Sequence, residues 1–258
     1  MIKESVWRLR NWIEDNERIV FLGGAGVSTE SGIPDFRSED GMFTPQNHYG
    51  RLPEELLHIH ALQHDPEAFF SYYREHMIHP DAQPNDAHEA LLRLEQLGKL
   101  SAIITQNVDG LHQLAGSQRV LELHGSIYDN LCCSCHKSYS LNAITGSAST
   151  VPHCPLCGGI IRPGVVLYGE NLNPQVFEAA RQAIAQADML IIGGTSLAVY
   201  PAASLLQHYQ GNHMALINKS DTAYDRRANL VIHDSVGKTL RDAVARVRIT
   251  DEIDGLSP

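Results

Sequence analysis

Long apolar runs, positive charge and cysteine are all scarce in this sequence. No run approaches the about 18 consecutive apolar residues of a membrane-spanning helix. The opening stretch, MIKESVWRLRNWIEDNE, is charged throughout and lacks the apolar core of a secretory leader. We therefore expect no membrane span, no targeting segment and a cytoplasmic protein.

The shortage of positive charge narrows the range of partners. Lys and Arg number 20 against 30 Asp and Glu, which gives a net charge of −10. An acidic surface repels phosphate backbones, so general binding to nucleic acid or anionic membranes is disfavoured, whereas a cationic protein substrate would suit it. The 258 residues, 43% of them hydrophobic, suffice for one large domain with or without a smaller partner.

Four of the five cysteines form two C-x-x-C pairs separated by eighteen residues, namely Cys132, Cys135, Cys154 and Cys157. This spacing favours one tetrahedral zinc ion over free or redox-active thiols. Four thiolates leave no open position for water, so we expect a structural ion rather than a catalytic one. A nucleic-acid-binding zinc ribbon is the alternative, but only one Lys and no Arg lie between the pairs. Cys133 falls outside the spacing.

Short apolar segments alternate with amphipathic ones along the rest of the chain. We predict strands at 18–24, 101–107, 119–125, 188–196, 214–220 and 229–235. We predict helices at 2–16, 85–100, 173–187 and 237–247, and irregular helix over 51–79. This alternation indicates an α/β fold with a doubly wound, Rossmann-like parallel sheet. Ligands of such sheets lie beyond the carboxyl ends of the strands.

A glycine-rich loop follows the first predicted strand. GGAGVSTESGIPDFRS, residues 23–38, comes straight after RIVFLGG, and such turns commonly cradle a phosphate. Thr29 stands where the dinucleotide fingerprint has its third glycine, and a simple phosphate loop has no need of the following Pro-Asp-Phe-Arg. An NAD(P) oxidoreductase would explain the glycines but neither these residues nor the cysteine pairs.

Seven motifs together resemble one family. GAGVSTESGIPDFRS, TQNVDGLH, LELHGS, the double cysteine pair, VVLYGENL, GGTSLAVYPA and LIN are similar, in this order, to the motifs of sirtuins, the NAD-dependent protein-lysine deacylases. The resemblance covers nearly the whole chain. It implies that NAD is consumed, with release of nicotinamide and O-acetyl-ADP-ribose, and that acetylated proteins are the substrates.

The resemblance also implies roles for individual residues. The catalytic residues would be His124, as general base, with Asn107 and Asp109. The NAD-binding residues would be Gly24, Ala25, Gly26, Ser28, Thr29, Asp35, Phe36, Arg37, Gln106, Asn107, Val108, Asp109, His124, Gly194, Thr195, Ser196, Asn218 and Ser235. Backbone pairing with the substrate peptide would involve Val166, Tyr168, Gly169 and Glu170, although Val166 and Tyr168 could instead be plain core.

The same resemblance sets further expectations. Residues 1–38, 86–126 and 166–258 would form the Rossmann-like NAD-binding domain, and the helical insertion 39–85 with the zinc module 127–165 the small domain. A subgroup that prefers acidic acyl chains carries Tyr and, three residues later, Arg; in FFSYYREHM, Phe70 and Tyr73 occupy these positions. We therefore expect acetyl-lysine as substrate, and a monomer. Protein ADP-ribosylation by the same site and an acyl-lysine-binding module without activity are the alternatives.

Overall fold

A six-stranded parallel sheet forms the centre of the fold. The computed structural model describes residues 3–35 and 50–247. The strands of this sheet lie in the order β3-β2-β1-β7-β8-β9. Their bounds are β1 Ile19–Gly23, β2 Leu100–Thr105, β3 Val120–Glu122, β7 Met189–Gly193, β8 His213–Ile217 and β9 Leu230–Ile232. The six predicted strands and the doubly wound sheet are confirmed.

The order of these strands creates a switch point. The chain runs outward from β1 through β2 to β3, and later returns to place β7 on the other side of β1. The loops after β1 and β7 therefore leave the sheet side by side and turn in opposite directions. A crevice at such a switch point is where open α/β sheets bind ligands.

Helices cover both faces of the sheet. On one face, the apolar sides of α1, Glu4–Asp15, α5, Asp86–Gln96, and α9, Val236–Val244, pack against the strands. On the other lie α8, Pro174–Ala185, and a 3-10 helix, Ala202–His208. The strands between them are almost wholly buried, which accounts for their continuous apolar runs.

A second, antiparallel sheet of three strands carries the cysteines. Its order is β5-β4-β6, with β4 at Gly125–Cys132, β5 at Ser138–Tyr139 and β6 at Ile161–Val165. The short helix α7, Asn142–Thr145, lies between β5 and β6. Sequence patterning missed this sheet, because the pairing of β4 is interrupted between Ser126 and Asn130 and β5 has only two residues.

The stretch predicted as irregular helix consists of three helices. They are α2, Pro53–Leu56, α3, Ile59–His64, and α4, Pro66–His76. Four aromatic side chains of α4 are fully buried in one core with apolar residues of β4, α7 and β6. They are Phe69, Phe70, Tyr72 and Tyr73. The helical insertion and the cysteine-bearing sheet thus share one apolar core.

Arg74 fastens this insertion to the cysteine-bearing segment. Its guanidinium donates hydrogen bonds to the backbone carbonyls of Ile144, Ser149 and Thr150, at 3.1, 3.3 and 2.6 Å. All three carbonyls lie between the two cysteine pairs.

Among residues 3–35 and 50–247, no helix has the length and apolar character needed to cross a membrane.

Candidate active site

Two glycine loops touch at the switch point. The amide of Gly26 donates to the carbonyl of Gly194, at 2.8 Å, and the amide of Gly24 to that of Gly193, at 3.2 Å. A Cβ on Gly26 would lie 2.7 Å from Cα of Gly194. Gly194 has φ +60°, and a Cβ there would lie 2.5 Å from the amide nitrogen of Val27. Both loops therefore require glycine where they meet.

We expect Gly194→Ala to lower stability more than its backbone strain alone explains. The left-handed conformation costs about 1–2 kcal/mol for a non-glycine residue, and the backbone clash adds about 1–3 kcal/mol. Gly32→Ala is the matched control, because Gly32 has φ +83° but open space around it. Denaturant unfolding measures both variants. Equal losses of unfolding free energy would contradict the close contact between the loops.

A chain of polar side chains lines the bottom of this crevice. The hydroxyl of Ser28, which is buried, donates to Oδ2 of Asp109 at 2.7 Å. The side-chain amide of Asn107 donates to Oγ of Ser28 at 3.0 Å. The other carboxylate oxygen of Asp109 accepts from the backbone of Leu111, at 2.9 Å. The loop after β1 and the loop after β2 are thus joined by three side chains that the sequence predicted as site residues.

Gln106 connects the loop after β2 to the loop after β7. Its side-chain amide donates to Oγ1 of Thr195 at 3.0 Å, while its backbone amide donates to the carbonyl of Gly23. Thr195 is buried, and its hydroxyl also accepts from the amide of Leu197. Ser196 beside it is exposed. Three neighbouring strand ends therefore meet at one polar cluster, as parallel pairing demands.

The ring of His124 is oriented by a backbone carbonyl. Its Nδ1 lies 2.8 Å from the carbonyl oxygen of Gln106. Because a carbonyl oxygen only accepts, Nδ1 carries the proton and Nε2 is left as the basic nitrogen. Burial lowers the pKa of His124, and the hydrogen bond to Gln106 offsets part of that effect. The imidazole is therefore neutral at physiological pH, as a general base must be.

The remaining predicted residues of the first loop have these positions. Ala25 opens a 3-10 turn, and the hydroxyl of Thr29 donates to the carbonyl of Gly26 at 3.1 Å. Asp35 is half-buried. Phe36 and Arg37 lie outside the described residues, so their predicted roles stay predictions.

Asn218 and Ser235, both predicted NAD-binding residues, lie after β8 and before α9. Asn218 directly follows β8, and its side-chain amide donates to the carbonyl of Ser220 at 2.8 Å. Ser235 precedes α9, and its hydroxyl donates to Oε2 of Glu30 at 3.3 Å. Oε1 of Glu30 accepts from the backbone of Gly237 at 2.8 Å. Sequence reasoning missed Glu30, whose carboxylate lies at the positive end of α9.

A buried histidine pair was also missed. His88 and His112 are almost fully buried, with ring centroids 4.7 Å apart. Burial lowers the pKa of His88 to about 4 and that of His112 to about 3, so both rings are neutral. Nδ1 of His88 accepts from the backbone of Asn85, whose side chain donates to the carbonyl of Val27. Asn85, which caps α5, thus also holds the glycine loop.

The predicted substrate strand pairs with the backbone of His124. The amide of Val166 donates to the carbonyl of His124 at 2.8 Å, and Val108 accepts from Ile127 in the same way at 3.0 Å. Tyr168 forms a parallel bridge with His58, and its side chain is 37% exposed, so it is not plain core. Val166 is half-buried.

Glu170 is tied to this chain's own arginine. Both of its carboxylate oxygens accept from Arg162, at 2.7 Å each, and one also accepts from the amide of Leu167. A groove of about 630 Å³ lies beside Tyr168 and Gly169. The carboxylate of Glu170 thus already has partners within this chain.

The four paired cysteines form one cluster. Their sulfur atoms all lie within 4.8 Å of one another. The Sγ atoms of Cys132 and Cys157 are 3.4 Å apart, and those of Cys135 and Cys154 are 3.7 Å apart. A tetrahedral zinc with bonds of about 2.3 Å needs sulfurs about 3.8 Å apart, so the set fits a structural ion. Cys133 is exposed.

The comparisons with known proteins agree with this geometry. The family model described as "Sir2 family" matches residues 24–201. An NAD-dependent protein deacetylase of Clostridium acetobutylicum is 50% identical over 244 residues, which is 95% of this chain and 100% of the relative.

Two solved structures have the same fold along nearly the whole chain. A Sir2 homologue in complex with NAD is 39% identical, with a TM-score of 0.83 over 93% of each chain. A Sir2 protein with a deacetylated p53 peptide and 3'-O-acetyl-ADP-ribose is 35% identical, with a TM-score of 0.83 over 92% of this chain and 96% of that one.

Proposed function

Because this chain belongs to the Sir2 family, we propose that it is an NAD-dependent protein-lysine deacetylase. The observation that carries the proposal is the neutral His124, with its basic Nε2, next to the polar cluster where three strand ends meet. The enzyme consumes NAD and releases nicotinamide and O-acetyl-ADP-ribose.

The proposed mechanism assigns each part of the crevice one task. The closely packed glycine loops let backbone approach the pyrophosphate of NAD. Asn107 and Asp109, fixed through Ser28, line the nicotinamide and ribose side, while Thr195 and Asn218 hold the adenosine half. As nicotinamide leaves, the acetyl oxygen of the substrate lysine attacks the ribose carbon. Nε2 of His124 then takes a proton from a ribose hydroxyl, which lets that oxygen attack the acyl carbon.

The four-cysteine zinc ion has no chemical step in this scheme. Its cluster belongs to the antiparallel sheet, and four sulfurs complete its coordination sphere. We further propose that residues 1–38, 86–126 and 166–258 act as the NAD-binding domain and 39–85 with 127–165 as the small domain. A monomer in the cytoplasm remains our prediction.

The defining experiment incubates the purified protein with an acetyl-lysine peptide, with and without NAD, and follows products by mass spectrometry. We expect deacetylated peptide, nicotinamide and O-acetyl-ADP-ribose together, and only with NAD. Intact peptide, with nicotinamide released and a protein gaining the mass of ADP-ribose, would instead indicate a transferase. The names of the relatives do not favour that alternative.

We expect deacetylation to exceed desuccinylation by more than about tenfold in kcat/KM. Phe70 and Tyr73 occupy the positions of the Tyr-Arg pair, and both are fully buried in the core. Arg74, the nearest cation in sequence, donates to three backbone carbonyls instead. A succinyl carboxylate would thus have no cation from this helix. Two peptides that differ only in the acyl group provide the measurement, and faster desuccinylation would contradict the assignment.

We expect kcat/KM to fall at acid pH with a midpoint below 6.5, the ordinary pKa of histidine. Burial lowers the pKa of His124, so the ring keeps its basic form until the pH drops below that value. Protonation then removes the base, and activity is lost as pH falls through the lowered pKa. A profile of kcat/KM from about pH 5 to about pH 8 reports on the free enzyme. A midpoint above 6.5 would be inconsistent with a buried base.

A further inference from the structure

Three side chains meet at the carboxyl ends of β8 and β9, outside the polar cluster. They are Asp221 and Asp225, in the loop after β8, and His233, directly after β9. Nε2 of His233 lies 3.5 Å from Oδ1 of Asp221 and 3.6 Å from Oδ2 of Asp225. We propose that these three side chains bind one divalent transition-metal ion.

The separations suit ligands of a shared ion better than partners of a direct hydrogen bond. An N–H···O hydrogen bond spans about 2.7–3.2 Å, and both distances exceed that range. A tetrahedral ion with bonds of about 2.1 Å to nitrogen and oxygen holds neighbouring ligands about 3.4 Å apart. The distances from His233 to the two carboxylates therefore match the edges of such a tetrahedron, with its fourth corner left for water.

The groups behind the ligands orient them as a metal site requires. Nδ1 of His233 lies 3.3 Å from the carbonyl oxygen of Asn218, so Nε2 is the ring nitrogen that faces the two carboxylates. Oδ1 of Asp225 accepts from the amide and the hydroxyl of Thr222, at 3.0 and 2.6 Å, which directs Oδ2 towards His233. Hydrogen bonds of this kind fix the tautomer and rotamer of metal ligands.

Charge supports the same conclusion. Two carboxylates that face the same point favour a cation between them. Their two negative charges balance those of a divalent ion, and a ligand set of one imidazole and two carboxylates suits Zn²⁺, Co²⁺ or Ni²⁺. The ion would hold the loop after β8 to the loop after β9. It would stand apart from the four-cysteine cluster, whose sulfur ligands belong to the other sheet.

The test uses untagged, zinc-replete protein titrated with Co²⁺ by calorimetry, with bound zinc measured before and after. We expect one saturable Co²⁺ site at or below about 100 µM, without loss of zinc. His233→Asn and Asp225→Asn should each weaken it by about tenfold or more. Co²⁺ should raise the Tm of the unaltered protein but not that of His233→Asn.

The matched control is His64→Asn, because His64 is another exposed histidine, four residues after His60 on α3. This variant should bind Co²⁺ as the unaltered protein does. Absence of saturable binding up to about 1 mM would overturn the proposal. Binding that survives His233→Asn but is lost in His64→Asn would overturn it as well, since the metal would then lie on α3.

Discussion

His124→Ala should reduce deacetylation by about 10²–10⁴-fold, the usual contribution of a positioned general base. The expected loss falls on turnover, because the base acts after the ribose carbon has been captured. NAD binding and folding should persist, since the ring of His124 supplies one hydrogen bond, to the carbonyl of Gln106, whereas Gln106 keeps its bonds to Gly23 and Thr195. The carbonyl of His124 still accepts from Val166 in the variant.

The measurement combines steady-state kinetics, NAD affinity by calorimetry and thermal unfolding. His208→Ala is the control for a generic effect of removing an imidazole, because His208 ends the 3-10 helix Ala202–His208 and is not among the proposed NAD-binding or peptide-binding residues. Near-normal turnover in His124→Ala would remove this residue from the mechanism. Lost NAD binding together with lost turnover would assign it a structural role instead.

Cys132→Ser should release the zinc ion and unfold the antiparallel sheet. Structural zinc contributes about 10–16 kcal/mol to the folding of small zinc-binding peptides, more than most domains have in total. Cys132 is fully buried, and its sulfur accepts from the amides of Ser134 and Cys135 at 3.4 and 3.5 Å. A serine hydroxyl neither replaces the thiolate as a ligand nor fills its volume.

Cys133→Ser is the matched control, one residue away. Cys133 is exposed and lies outside the cluster, so this variant should keep one zinc per chain and an unchanged Tm. Metal analysis and thermal unfolding of both variants provide the test. A Cys132→Ser protein that lacked zinc but was equally stable would rule out a structural role for the ion.

The central sheet could be predicted because buried parallel strands are nearly continuous apolar runs. All five residues of β7 are buried, so its apolar run identifies it as a strand from local sequence alone. Parallel strand ends predict only where a site lies, at the carboxyl edge of the sheet. The individual residues Ser28, Asn107 and Asp109 came from the resemblance to sirtuins, and the structure brings their side chains together.

The missed features depend on contacts between residues distant in sequence. Position 194 requires glycine because the backbone of Gly26 leaves no room for a Cβ there. No local sequence pattern indicates that the two loops touch. In the sequence, Glu30 resembles any other exposed acidic residue. Only the fold shows that α9 begins beside its carboxylate. The antiparallel sheet depends on the cysteine cluster, so hydrophobic periodicity had little to detect there.

Arg74 connects α4 to the segment that carries the zinc ligands. Its planar guanidinium spans three carbonyls of the segment between the cysteine pairs, while its stem belongs to α4. The helical insertion and the metal-bearing segment are therefore coupled, so a loss of order in one should loosen the other. Hydrogen exchange in α4 should consequently report the loss of an ion that no residue of α4 touches.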